Sequence, residues 1–219
     1  MSDLTLVIGN KAYSSWSLRP WLVLKRAGVP FTEVVIPLYR PGSKERILEQ
    51  SPTGKVPALK HGERTVWDSL AICEYLAETF PDAALWPADA HARAVARSVS
   101  AEMHSGFVGL RTAMPMDLKG VYPDLGRTPQ CAADIARLTA LWADARARFG
   151  AEGPFLFGRF SIADAMFAPV VTRLRTYAVE LDPVSQAYSD AVLALPAMQE
   201  WYAAARDEEW VITQDALRR

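Results

Sequence analysis

Cysteine occurs only twice in this chain of 219 residues, at Cys73 and Cys131, far apart and in no CxxC spacing. That excludes a disulfide framework and a cysteine-rich metal site, and it suits a reducing cytoplasm. Histidine is as sparse. His61, His91 and His104 fall in no HExxH or comparable ligand spacing, so no metal is implied. Charge of one sign is missing too: 24 Lys and Arg against 25 Asp and Glu leave a formal charge of -1. Without a basic surface for phosphate backbones, nucleic acid is not an expected partner. No apolar run reaches the ~18 residues of a membrane span. The segment Met1–Asn10 carries Asp3 and no basic run before its apolar stretch, so no signal peptide is read.

What is present is a 50% hydrophobic composition, enough for one large core or two modest ones. Leu4 to Ile8, Phe31 to Ile36, Pro57 to Leu59 and Arg64 to Trp67 read as strands. Between them, Leu18 to Ala27, with N-cap choices at Ser14, Ser15 and Ser17, and Ser43 to Gln50 read as helices, Pro20 fitting only near a first turn. A helix capped by Ser69 and ended by Pro81 completes the order βαβαββα. Beyond Pro81 β-branched runs nearly vanish. Alanine-rich segments at Ala90 to Thr112, Cys131 to Phe149, Ile162 to Tyr177, Ser185 to Leu193 and Ala197 to Asp207 read as helices with an apolar stripe. The expected division is 1–81, a linker at 82–90, and an all-α domain at 91–219. Ser161-Ile-Ala-Asp164 has the form of a capping motif before a buried helix, a structural rather than catalytic role.

Three stretches carry chemistry: Tyr13-Ser-Ser-Trp-Ser-Leu-Arg-Pro-Trp21, Ser51-Pro-Thr-Gly-Lys-Val-Pro-Ala-Leu59 and Trp67-Asp-Ser-Leu-Ala-Ile72. They resemble the glutathione-binding motifs of the glutathione transferase family, over the whole chain and nearest the serine-type zeta class. Where that class has Ser-Ser-Cys-Ser this chain has Trp16, which sets any zeta-specific isomerisation apart from the thiol-activating serine. The resemblance implies a thioredoxin-like α/β domain followed by a helical domain, glutathione as co-substrate, a small electrophile as partner, and a homodimer with Trp67 and Trp86 near its surface.

The residue chemistry agrees with these implications. A free thiol with a pKa of ~8.5 is mostly protonated at neutral pH, and a hydroxyl donor at a helix N-terminus stabilises its anion. Ser14 or Ser15 is assigned that catalytic role, Ser17 staying a third candidate, although serines at such positions are often only caps. In this fold Val56-Pro57 is expected to be cis, with the Val56 backbone pairing to a peptide ligand as an added strand would. Asp68 suits an ammonium and Ser69 a carboxylate, the two ends of a γ-glutamyl group. Lys55 and Lys44 are candidates for the glycyl carboxylate. Trp16, together with His104, Phe107 and Arg111 at helical spacing, is the candidate electrophile wall, Met103 and Met114 sharing that stripe. Two alternatives remain: a glutathione-dependent isomerase or reductase, and a non-catalytic glutathione-binding protein.

Overall fold

The computed structural model describes residues 3–213. Its N-terminal part is a four-stranded mixed sheet of β1 (Leu4–Ile8), β2 (Thr32–Val35), β3 (Ala58–His61) and β4 (Arg64–Trp67) in the order β2-β1-β3-β4. β1 runs parallel to β2, with Val7 opposite Val34, and antiparallel to β3, with Leu6 opposite Leu59. Alternation along β1 divides two packing layers, because successive side chains leave opposite faces. Leu4, Leu6 and Ile8 pack into the main core with Leu18, Trp21 and Leu22 of α1 (Ser15–Ala27) and Ile72 and Leu76 of α3 (Ser69–Thr79). Val7 turns the other way, onto Ile36, Ala58 and Ile47 of α2 (Ser43–Leu48).

A short 3-10 turn at Pro81–Ala83 leads into helices α4 (Ala90–Ser105), α5 (Val108–Ala113), α6 (Pro129–Phe149), α7 (Ile162–Thr176), α8 (Pro183–Leu193) and α9 (Pro196–Asp207). None of the described helices is long and apolar enough to cross a membrane. α7 is buried along nearly its whole length and packs against α1, joining the helical part to the sheet part through one continuous core. Its start is the expected capping box, with Asp164 Oδ2 accepting from Ser161 N at 2.8 Å while Asp164 Oδ1 accepts from Leu156 N at 3.1 Å.

Four expectations are corrected here. Pro20 is the sixth residue of α1, past the first turn, so Trp16 C=O has no helical donor from it, yet packing keeps the helix intact to Gly28. The segment from Ala90 to Thr112 is two helices, because Gly106 closes α4 and Phe107 takes a left-handed φ of 54°. Asp68, not Ser69, caps α3, its Oδ1 accepting from Leu70 N at 2.8 Å. Trp86 is buried: its ring lies against Arg97 and its Nε1 donates to Glu74, whereas Trp67 is 46% exposed.

Candidate active site

Two adjoining cavities of about 410 and 340 Å³ lie where the β1–α1 loop, the approach to β3 and the start of α3 face α4, α5 and α7. Trp16, Val56 and Arg111 line both. The larger also meets Lys55, Pro57, Asp68, Ser69 and His104. The smaller meets Ser14, Ser15, Tyr39 and Arg173. The Val56–Pro57 bond is cis.

The β1–α1 loop holds the serines by several independent bonds. Tyr13 N and Ser14 N donate to Asn10 O, Leu38 N donates to Asn10 Oδ1, and Lys11 N and Ala12 N donate to the Glu208 carboxylate at 2.6 and 3.0 Å. Ser14 is the N-cap residue of α1 by position, but its hydroxyl makes no capping bond. Instead Ser14 Oγ lies 2.7 Å from Ser17 Oγ, which accepts from Gly9 N at 3.1 Å. Ser17 is fully buried and lines neither cavity. Ser15 Oγ accepts from Arg173 Nη2 at 3.2 Å, and Ser15 C=O accepts from Arg19 Nη1 at 3.0 Å.

Three guanidiniums therefore gather behind and beside the serines. Arg19 is fully buried, with no carboxylate partner among the described residues; its Nε donates to Met166 O and its Cζ sits 4.1 Å from the centre of the Trp16 ring. Arg111 approaches the same ring to 4.9 Å, and His104 meets it edge-on at 5.3 Å. Burial, then repulsion from Arg173 and Arg111, pushes the Arg19 pKa well down, and burial with Arg111 brings Arg173 down to about 10. A guanidinium keeps its proton in proteins, so each remains a cation. Among the described residues none of the three forms an ion pair, Asp68 standing farther off on the same cleft, so an anion bound in this partly dry space gains from their charge.

At the other end, Asp68 holds a φ of 49° and ψ of 152°, a conformation costing of order 1–3 kcal/mol for a non-glycine residue and sustained only by its surroundings. Its Oδ2 lies 3.3 Å from His104 Nε2. Ser69 is 1% exposed, and its Oγ has no partner among the described residues although it lines the larger cavity. A buried, unpaired hydroxyl at the start of an eleven-residue helix suits an anionic ligand group.

The sequence candidates thus separate. Ser14, Ser15, Trp16, Lys55, Val56, Pro57, Asp68, Ser69, His104 and Arg111 converge on the cleft. Lys44 does not line it: its Nζ donates to Gly54 O at 3.2 Å and braces the loop before Lys55. Phe107 lies in the core with Met103 and Met114, because the helix break turns it away from the His104 face. Arg173 and Arg19 carry the electrostatics and were not candidates. In sequence Arg173 is simply one of two basic residues closing an apolar helix, as the helix dipole favours. Cys73 and Cys131 are buried outside the cleft, and burial raises both thiol pKa values.

Residues 13–79 match the glutathione S-transferase N-terminal domain model and residues 128–204 the C-terminal domain model. Maleylacetoacetate isomerase of Rattus norvegicus is 32% identical over 192 residues, covering 84% of this chain and 85% of that protein. The Mus musculus protein of the same name is 31% identical over 174 residues, covering 77% of each. Among solved structures, a Burkholderia glutathione transferase homolog with bound glutathione superposes with a TM-score of 0.71 at 28% identity, covering 95% of this chain and 100% of that one. A theta-class glutathione S-transferase from Xanthomonas axonopodis pv. citri with glutathione bound gives 0.67 at 26% identity, covering 92% and 98%. With both domain models matched and a relative 32% identical over 84% of its length, the chain belongs to the glutathione S-transferase family.

Proposed function

We propose that the chain is a glutathione transferase that holds glutathione in the larger cavity and turns its thiol, as thiolate, toward a small anionic electrophile in the smaller one. The γ-glutamyl group meets Asp68 and Ser69, the cysteinyl unit pairs with the Val56 backbone, and Lys55 faces the glycyl carboxylate. Lowering the thiol pKa by ~2 units needs about 2.7 kcal/mol, within reach of the Ser14 hydroxyl, the first turn of α1 and the nearby guanidiniums together. The sulfur then forms its bond to the electrophilic carbon while the leaving group departs with its electron pair, and the thiol proton passes to water. In this reading residues 1–81 bind glutathione, 82–90 link, 91–219 complete the electrophile site, and the protein works as a cytoplasmic homodimer.

The observation that carries the anionic preference is Arg173 beside Arg111 in the cavity of Ser14 and Ser15. A second reading, glutathione-dependent isomerisation, is supported by the relatives named maleylacetoacetate isomerase and by the same two arginines. There the thiolate adds to a conjugated double bond, the single bond so created rotates, and elimination returns the thiolate. Retention on immobilised glutathione, followed by conjugation and isomerisation assays with matched carboxylated and neutral electrophiles, tests both. Equal turnover of the matched pair would remove the anionic preference; no retention would remove glutathione.

A further inference from the structure

The hydrogen atoms of the serine cluster can be assigned by asking where each one goes. Ser17 Oγ accepts from Gly9 N at 3.1 Å and lies 2.7 Å from Ser14 Oγ, and at 0% exposure it reaches neither water nor the cavity. A hydroxyl has one hydrogen to give and two lone pairs to receive with. Were Ser14 to donate to Ser17, both Ser17 lone pairs would be filled and its own hydrogen would have no acceptor, an unpaired donor in a dry interior. Ser14 would then face the cavity with lone pairs only, the wrong polarity for an anion. The opposite direction satisfies every group: Gly9 N–H to Ser17, Ser17 O–H to Ser14, and the Ser14 hydrogen left free above the cavity.

We propose that Ser17 is a positioning residue for the glutathione thiolate, feeding its hydrogen to Ser14 Oγ so that Ser14 can act only as a donor to sulfur. The inference rests on the reading of Ser14 as the thiolate's donor. Consecutive hydrogen bonds running one way polarise one another, so the last donor in the row is stronger than an isolated serine. Gly9 anchors the row from just beyond β1, and a Cβ there would meet Leu38 Cδ1 at 2.8 Å, so a larger residue would have to push the Leu38 side chain aside.

The test titrates the thiolate absorbance of bound glutathione in the wild type, Ser14→Ala, Ser17→Ala and the double variant, with Ser17→Cys as the isosteric partner of weaker hydrogen bonding. Ser17→Ala is expected to raise the bound thiol pKa by about one unit, lowering kcat about threefold near pH 7 and about tenfold well below the pKa, while the KM for glutathione stays within about twofold. At pH well above that pKa kcat recovers. Ser17→Cys falls between, and it replaces Ser17→Ala should the latter not fold. Because Ser17 acts only through Ser14, Ser14→Ala with Ser17→Ala should titrate like Ser14→Ala alone, whereas a merely structural role for Ser17 would add to it. A Ser17→Ala thiol pKa unchanged from wild type, with Ser14→Ala raised, overturns the relay and leaves Ser14 working alone. If neither variant moves it, the underlying reading of Ser14 fails as well.

Discussion

His104 Nε2 stands 3.3 Å from Asp68 Oδ2, so the carboxylate that caps α3 also answers to α4 on the far wall of the cleft. Asn is as good an N-cap as Asp, so Asp68→Asn removes the charge while keeping the cap. The expected result is a KM for glutathione raised about tenfold with kcat within about threefold, and a melting temperature nearly unchanged, since the pair is partly exposed and contributes little to stability. Calorimetric titration with glutathione checks the affinity directly.

Arg173→Met should discriminate between electrophiles. For a carboxylated electrophile kcat/KM should fall about a hundredfold, equivalent to about 2.7 kcal/mol, while a neutral one of equal size changes by less than about threefold. Stability should hold or rise slightly, because the substitution removes one of several buried, mutually repelling cations. Equal losses on both substrates would mean that Arg173 serves only to seat Ser15.

The Asp164 carboxyl titrates at about 6, raised from 3.8 because burial outweighs the hydrogen bonds that it accepts. A carboxyl whose folded pKa is raised binds its proton more tightly in the folded state. Its contribution to stability is therefore fully present below about pH 4 and is lost as the pH rises through about 6. The stability difference between wild type and Asp164→Asn should accordingly shrink from pH 4 to 6 and stay level above. Urea unfolding at each pH measures it; a difference that grows across that window would contradict the raised pKa.

Ser161→Ala and Asp164→Ala should lower the melting temperature and leave the KM for glutathione alone, because Asp164 satisfies Leu156 N and Ser161 N and lines neither cavity. Losing the cap costs ~0.5–2 kcal/mol. Activity lost at an unchanged melting temperature would instead place Asp164 in the chemistry.

Light scattering at micromolar concentration should give twice the chain mass of 24.2 kDa. Trp67, 46% exposed beside the cleft, is the residue whose replacement by Glu should shift that mass toward the monomer. A wild-type mass of 24.2 kDa overturns the homodimer.

The βαβαββα order was legible because each strand is a short apolar or β-branched run and each helix a periodic one, so local pattern and final fold agree. The break at Gly106-Phe107 was not, since Phe107 keeps the apolar period of α4 and nothing local announces a left-handed aromatic residue. Of the site, the serines, Val56-Pro57 and Asp68-Ser69 were readable as motifs. What Ser14 does with its hydroxyl was not, because that depends on Ser17 turning inward to Gly9. Arg173 escaped for a different reason. It meets Ser15 from 158 residues away, and only the packing of α7 on α1 brings them together. Trp86 shows the converse, an aromatic residue within the connector that burial claims instead of an interface.

The Glu208 carboxylate, which receives Lys11 N and Ala12 N, stands 197 residues beyond Lys11. During synthesis the loop bearing Ser14 leaves the ribosome nearly two hundred residues ahead of the group that fixes its backbone. The sheet can form long before, from contacts within the first seventy or so residues. A growing chain therefore carries an unfinished cleft until translation passes Glu208, and ribosome-bound chains stalled short of that residue should show the sheet without retention on immobilised glutathione.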